Sequence, residues 1–215
     1  MLRFRHLWLT LVFAYQALGL VFEHQALGSG TVYIIRHGEK TWVFGCLSDR
    51  GHERAQYIVD VFNGQPAATH STFPVPKALF AHWYDDPINC ERCNMTLTPI
   101  AASLGLQIDM SHGGEKPGVG PGGGNAGAAQ AILQTLNSTG GPLLVAWEHF
   151  NIESLIAELG VPESDVPVWE ESDYDSVYAL SFDRENRLTA FGHLQENFSS
   201  TALLSYTREQ DLKTH

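Results

Sequence analysis

The stretch TVYIIRHGE, residues 31–39, decides the fold of this chain. Five β-branched or aromatic residues in a row, 31–35, predict a strand that is buried on both faces. Gly38 allows a sharp turn directly after Arg36 and His37, where a Cβ would clash. Because open α/β sheets bind ligands at the carboxyl ends of their strands, the arginine and the histidine are candidate site residues. A histidine there can act as a nucleophile, and an arginine can hold a phosphate with its planar fork.

A second apolar strand delivers a second histidine. Residues 143–147, LLVAW, are predicted to form a buried strand. Glu148, His149, Phe150 and Asn151 follow directly, and a helix is predicted over 152–159, closed by Gly160. The order of strand, histidine and helix therefore occurs twice, which predicts that both histidines lie at the same edge of one sheet.

A second arginine opens a predicted helix in the stretch RCNMTLTPIAASLGL, residues 92–106. Arg92 is expected in the first turn of this helix, where the positive end of the helix dipole also favours an anion. Arg36 and Arg92 are then two guanidiniums that can clamp one phosphate.

These three stretches resemble the motifs of the histidine phosphatase superfamily, which has the phosphoglycerate-mutase-like fold. The resemblance rests on three motifs. The first is a strand followed by Arg-His-Gly-Glu, residues 31–39. The second is Arg-x-x-x-Thr-x-x-x-Ile-Ala with a Leu-Gly-Leu ending, residues 92–106, and the third is the second strand with His149 and Asn151. The chain departs from the pattern at Phe150, where the family usually has glycine, and at Glu148, where a small residue is common. The resemblance covers about Thr31 to Leu194. It implies an α/β three-layer sandwich with a mostly parallel central sheet and helices on both faces.

The resemblance also implies a reaction. Neutral His37 is expected to attack phosphorus and form a phosphohistidine, while a backbone carbonyl holds its other nitrogen and Arg36, Arg92 and His149 neutralise the phosphoryl oxygens. A carboxylic acid is expected to protonate the leaving oxygen, and both Glu148 and Glu115 are candidates. Asn151 and Glu39 are predicted to contact the substrate, and no metal or cofactor is expected. The predicted function is phosphomonoester hydrolysis. The alternatives are a phosphoglycerate-mutase-type phosphotransferase and a catalytically weak extracellular phosphate- or ligand-binding protein.

The rest of the chain predicts ordinary α/β elements. Helices are expected over 49–62 and 126–136, a strand over 78–81, and an edge hairpin with strands over 176–182 and 187–194. The glycine-rich stretch 113–127 lacks the Gly-Lys-Ser/Thr ending of a P-loop, so it predicts a flexible lid or linker and no nucleotide site.

Composition and charge restrict the partners. The chain has 215 residues, 44% hydrophobic and 17% charged, which suits one globular domain. Its net charge of −11 makes it a poor general binder of nucleic acid or of anionic membranes. The expected partner is a phosphorylated small molecule or phosphoester, and the oligomeric state is not readable from the sequence.

The first residues resemble a secretory leader. A basic start, an apolar run over 7–15 and the small-x-small triplet 17–19 predict a signal peptide over 1–19, with cleavage as late as 28 as an alternative. The other interpretations are an N-terminal helix of the domain and, less favoured, a membrane anchor. The domain is expected over 29–205 and a C-terminal tail over 206–215.

Cysteines and sequons accord with a secreted glycoprotein. In such a chain Cys46 is predicted to form a disulfide with Cys90 or Cys93. Asn-x-Ser/Thr sequons begin at Asn94, Asn137 and Asn197. Asn137 is predicted to lie in an exposed loop, and Asn94 to lack a glycan because it neighbours Arg92.

Overall fold

The computed structural model describes residues 30–41, 45–66, 72–84, 91–114 and 120–198. Six strands and four α-helices are present in these ranges. The strands are β1 Gly30–Arg36, β2 Ala78–Ala81, β3 Ile108–Asp109, β4 Leu143–Trp147, β5 Ser176–Phe182 and β6 Leu188–Gln195. The helices are α1 Asp49–Val61, α2 Arg92–Leu104, α3 Gly124–Thr139 and α4 His149–Glu158. Two short 3-10 helices span Pro121–Gly123 and Glu163–Asp165.

The strands form one mixed sheet in the order β3-β2-β4-β1-β5-β6. The first four run parallel, with Val32 opposite Leu143 and Ile34 opposite Val145. Strands β5 and β6 form an antiparallel hairpin that adds to β1, and β6 is an edge strand, as predicted. The predicted α/β fold class is confirmed.

Hydrophobic side chains cover both faces of the sheet, so the domain has three layers. Val32 and Ile34 of β1 pack in one buried cluster with residues of α3 and α4, while Ile35 packs in a second cluster with residues of α1 and α2. Successive residues of a strand point to opposite faces. The uninterrupted apolar runs in β1 and β4 follow from this, because both faces of these strands need apolar side chains.

Helix α1 rests directly on the turn that follows β1. Ser48 is its N-cap, and the Ser48 hydroxyl accepts a hydrogen bond from the Gly51 N–H at 3.2 Å. Gly51 is buried against the backbone of Glu39, and a Cβ at residue 51 would lie 2.2 Å from the Glu39 carbonyl oxygen. The glycine therefore allows α1 to approach the turn that carries His37.

Two helices begin earlier than the sequence predicts. Helix α4 begins at His149 rather than 152, because the Glu148 side chain caps it. Helix α3 begins at Gly124, so residues 124–127 are helical and the prediction of a loop throughout 113–127 is wrong. Gly127 lies so close to the Gly122 carbonyl that a Cβ would clash, so a glycine is required where the first turn of α3 packs on residue 122.

One of the two disulfide alternatives is wrong. Cys93 is free and buried, and burial raises the pKa of its thiol to about 12. The other alternative involves Cys90, which lies outside the described residues, so the pairing of Cys46 with Cys90 stays a prediction. The predicted leader over 1–19 and tail over 206–215 also lie outside the described residues.

The sequons differ in exposure. Asn137 and Asn197 are exposed, although Asn137 lies in the last turns of α3 rather than in a loop. Asn94 is half-buried on α2. None of the helices in the described part of the chain has the length and apolar content that a bilayer crossing needs.

Candidate active site

The carboxyl ends of three parallel neighbours, β1, β4 and β2, meet at one edge of the sheet. Strand β1 ends at Arg36 and is followed by His37, β4 is followed by Glu148 and His149, and β2 is followed by His82. The backbone N–H of His37 donates to the Trp147 carbonyl at 3.4 Å. The structure therefore brings the two predicted histidines together, with ring centroids 6.2 Å apart.

His37 is fully buried, and both of its ring nitrogens are engaged. Nδ1 lies 2.7 Å from the Gly38 carbonyl and donates to it, since a carbonyl can only accept. Nε2 accepts a hydrogen bond from Arg92 Nε at 3.0 Å. Burial, then the charges of Arg92 and Arg36, hold the pKa of His37 well below its usual value. His37 is therefore neutral, with its lone pair on Nε2 toward the site.

Arg92 is the first residue of α2, and two contacts hold it there in addition to His37. Its guanidinium carbon lies 4.3 Å from the centre of the Tyr84 ring. The Thr96 hydroxyl donates to the Arg92 carbonyl and accepts from the Gly38 N–H, each at 2.8 Å. The start of α2 and the turn that follows β1 are thus one hydrogen-bonded unit.

Arg36 is held by an acidic aromatic loop whose role the sequence did not reveal. Its Nη1 donates to the carbonyls of Glu171 and Asp173, the latter at 3.2 Å, and its Nη2 donates to the Tyr174 hydroxyl at 3.2 Å. The Tyr174 ring lies under the guanidinium at 3.9 Å. The buried Nε of Arg36 has no hydrogen-bond partner among the described residues. The loop thus orients Arg36 and leaves one of its donors unused.

Glu148 lies in the site as a carboxylate. Oε2 accepts from the Phe150 N–H at 2.8 Å, which makes Glu148 the N-cap of α4. Oε1 lies 2.7 Å from His149 Nδ1 and 4.0 Å from Arg92 Nη2, although the His149 contact lacks the alignment of a hydrogen bond. Burial alone would raise the pKa of Glu148, but His149, the Phe150 N–H and Arg92 outweigh burial and lower it. An ionised Glu148 lacks the proton that a general acid donates, so its lowered pKa does not favour the predicted role of Glu148 as the acid.

Asn151 and Glu39 have protein partners, and their predicted contact with the substrate stays a prediction. Asn151 is buried, and its Oδ1 accepts from Asn125 Nδ2 at 3.1 Å. The Glu39 carboxylate accepts from Arg50 and Arg54 at 2.9 to 3.0 Å. Asn151 links α4 to α3 through Asn125, and Glu39 links the turn after β1 to α1 through Arg50 and Arg54. Glu115, the other predicted acid, lies outside the described residues.

Two residues near the site had no assigned role in the sequence. Lys40 is half-buried, and its pKa is lowered by burial and then by the charges of Arg92 and Arg36, which places it in their electrostatic field. His82 is fully buried, its Nε2 lies 2.9 Å from the Gly114 carbonyl, and burial lowers its pKa to about 4. In the sequence, the role of Lys40 was indicated by its position three residues after His37.

The charge balance of the site favours an anion. Ligand atoms of His37, Glu148 and His149 lie within 4.8 Å of one another, a spacing that a metal ion could use. However, Arg92 occupies the lone pair of His37, and the guanidiniums of Arg36 and Arg92 would repel a dication in this buried place.

Unpartnered buried polar atoms point to the same ligand. In the described part of the chain Arg36 Nε and both ring nitrogens of His149 lack hydrogen-bond partners. Buried donors are usually paired in folded proteins. Arg36 Nε can only donate, so an oxyanion such as phosphate fits it, and an N–H of His149 can add a second contact.

No family model and no curated protein matches the chain. Among solved structures it is similar to the protein histidine phosphatase SixA complexed with tungstate, at 19% identity over 77% of this chain and 97% of that one, with a TM-score of 0.48. It is also similar to a mycobacterial glucosyl-3-phosphoglycerate phosphatase with inorganic phosphate, at 14% identity, 79% and 97% coverage and a TM-score of 0.49. A phosphoserine phosphatase variant from Entamoeba histolytica in complex with phosphoserine has 15% identity, 75% and 96% coverage and a TM-score of 0.48. At this identity the similarity concerns architecture and says nothing of the reaction.

Proposed function

We propose that this chain is a histidine phosphatase that hydrolyses phosphate monoesters through a phosphohistidine at His37. One observation carries the proposal. A buried neutral histidine, oriented by the Gly38 carbonyl, presents Nε2 to Arg92 beside a second arginine with an unused donor. A nucleophile beside oxyanion-binding cations is what phosphoryl transfer requires.

In the first step the Nε–H of Arg92 stays on Arg92 and redirects its hydrogen bond from His37 Nε2 to a phosphoryl oxygen, which frees the His37 lone pair. Nε2 of His37 then forms a bond to phosphorus while the bond between phosphorus and the leaving oxygen breaks. Arg36 Nε and His149 are placed to stabilise the negative charge on the phosphoryl oxygens. Lys40 adds a third positive charge to the field.

In the second step water attacks phosphorus, the N–P bond breaks, and its electron pair returns to His37. Glu148 is the group suited to accept the proton of water, because its lowered pKa keeps it ionised and its Oε1 lies 2.7 Å from His149 Nδ1 in the site. Glu115 stays a candidate for the acid of the first step.

The test compares phosphate release from a phenolic phosphate by the wild type, His37→Ala and His52→Ala. His52 is an exposed histidine on α1 and serves as the matched control. We expect the His37 variant to lose turnover and the control to keep it. Rapid acid-free quenching of the wild type should trap a phosphoprotein that survives base and is lost in acid. Equal turnover in His37→Ala would refute the proposal.

The second candidate is an extracellular phosphate- or ligand-binding protein with little turnover. The observation in its favour is that Arg92 occupies the His37 lone pair and that Arg36, His37 and His149 are at most 3% exposed. Calorimetry with inorganic phosphate separates the two functions. Tight binding without phosphohistidine formation would favour the binding protein. Phosphoryl transfer to 3-phosphoglycerate in place of water would instead indicate the phosphotransferase alternative.

We also propose that the protein is secreted and carries glycans on Asn137 and Asn197. Both side chains are exposed, whereas Asn94 is half-buried one turn from the site. Expression in eukaryotic secretory cells should yield a protein whose mass falls on treatment with an amidase that removes N-glycans. Each of Asn137→Gln and Asn197→Gln should remove one glycan, and Asn94→Gln should change nothing. Retention of the protein inside the cells would contradict the secretory route.

A further inference from the structure

An exposed aromatic ring lies directly beside the buried site. Phe150 is the second residue of α4, and 68% of its surface is exposed. Its ring centroid lies 3.9 Å from that of His149, with the planes tilted by 36°. The Glu148 carboxylate binds its backbone N–H at 2.8 Å. One face of the ring is therefore fixed against a phosphate-site residue, and the rest is open to water.

The contacts of the Phe150 ring with the phosphate-site residues distinguish it from an isolated exposed phenylalanine. Scattered exposed apolar residues are normal in soluble proteins. Phe150, however, is joined by stacking and by its backbone to His149 and Glu148, which are 3% and 6% exposed. A ring fixed at the rim of a phosphate site can receive the non-phosphate part of a substrate, and an aromatic ring best receives another one.

The state of Glu148 points independently to the same kind of substrate. Its lowered pKa leaves it without the proton that an alcohol leaving group needs. The hydroxyl group of an alcohol has a pKa close to that of water, which is about 15.7. A phenol has a pKa of about 10, so it leaves as the anion far more readily. The protonation state of Glu148 therefore favours phenolic leaving groups.

Resting on the proposed function, we infer that the preferred substrates are aryl phosphate monoesters whose ring stacks on Phe150. The phosphoryl group then lies among Arg36, His37 and His149. The His37 lone pair forms the N–P bond, the aryl P–O bond breaks, and its electron pair leaves on the phenolate without a proton from the protein. Exposed carboxylates of Glu170 and Glu171, on the loop that holds Arg36, disfavour a second phosphate on the substrate.

The ring contact is tested with unreactive ligands, which separate binding from chemistry. Competitive inhibition constants of phenylphosphonate and cyclohexylphosphonate are measured in the wild type, Phe150→Leu and Val168→Ala. Val168 is another exposed apolar residue, 72% exposed, and it is the control. We expect phenylphosphonate to bind about tenfold more tightly than its saturated analogue in the wild type and the control. In Phe150→Leu the two constants should agree within twofold.

The leaving-group preference is tested in the wild type by comparing the turnover of phenyl phosphate with that of cyclohexyl phosphate. Phenyl phosphate is expected to turn over at least about a hundredfold faster, and equal turnover of the two esters would overturn the preference. Equal binding of the two phosphonates in the wild type, with inorganic phosphate still inhibiting, would overturn the aryl preference and leave the phosphatase intact. Failure of inorganic phosphate and both phosphonates to bind would overturn the proposed function and this inference with it.

Discussion

Glu196, a fully buried carboxyl group at the end of β6, should make the protein less stable as the pH rises. It accepts a hydrogen bond from Arg54 Nη1 at 2.7 Å, while its Oε1 has no partner among the described residues. Arg54 is shared with Glu39 and Asp175. Burial raises the pKa of Glu196 to about 8, because the attraction of Arg54 is offset by the other two carboxylates.

The size of the effect follows from proton linkage. Between pH 4.5 and about 8 the folded state holds a proton on Glu196 that the unfolded state has released. The free energy of unfolding therefore falls with rising pH, by at most about 1.4 kcal/mol for each pH unit and about 5 kcal/mol in total. His37 and His82 act in the opposite direction up to about pH 6.5, because their pKa values are lowered on folding. The difference between the wild type and Glu196→Gln isolates the carboxyl group.

The assay is urea unfolding of the wild type, Glu196→Gln and Glu53→Gln at several pH values from 5 to 8.5. Glu53 is exposed on α1 and is the control. The glutamine keeps the acceptor for Arg54 and removes the ionisation. We expect Glu196→Gln to gain several kcal/mol relative to the wild type between pH 5 and 8.5. A difference that stays constant over this range would refute the reasoning and show that Glu196 is ionised throughout.

Three further outcomes follow from the site and its support. Arg92→Ala should lower kcat/KM by about 100- to 1,000-fold through lost stabilisation of transition-state charge; a loss under tenfold would contradict its role. Gly51→Ala should lower the free energy of unfolding by about 1 to 3 kcal/mol, because its Cβ meets the Glu39 carbonyl at 2.2 Å. Urea unfolding measures this, with Glu53→Ala as the control at less than about 0.5 kcal/mol. His37 should keep its neutral pattern in ¹⁵N NMR spectra from pH 8 to 5.5, because burial and Arg92 lower its pKa; an imidazolium pattern at pH 6 would be incompatible with the site.

Several elements could be predicted because their signals are local. The apolar runs of β1, β2 and β4 reflect strands covered on both faces, and the structure has them at or within one residue of the predicted bounds. The N-cap Ser48 and the helical spacing after it predicted α1 equally well. Strand β3 was missed, because two residues are too short for a periodic pattern.

The site was partly predictable for the same reason. Arg36, His37, Arg92 and His149 stand at the ends of strands or at the start of a helix, and topology alone brings such positions to one sheet edge. Glu39 and Asn151 share those sequence neighbourhoods but turn toward Arg54 and Asn125. A side chain's direction depends on which partners the fold supplies, and the sequence does not contain that information.

The amino-acid sequence by itself determined the class of the fold and the residue types at the site, since hydrophobic period and turn chemistry are read within a few neighbouring residues. Tertiary structure alone decided which groups carry charge and which way they point. The loop 171–174 reaches Arg36 from 135 residues away, and the pKa of Glu148 is lowered in spite of burial because His149, the Phe150 N–H and Arg92 approach it in space. Electrostatic and hydrogen-bond energies depend on distance and burial, and both are set only when the chain has folded.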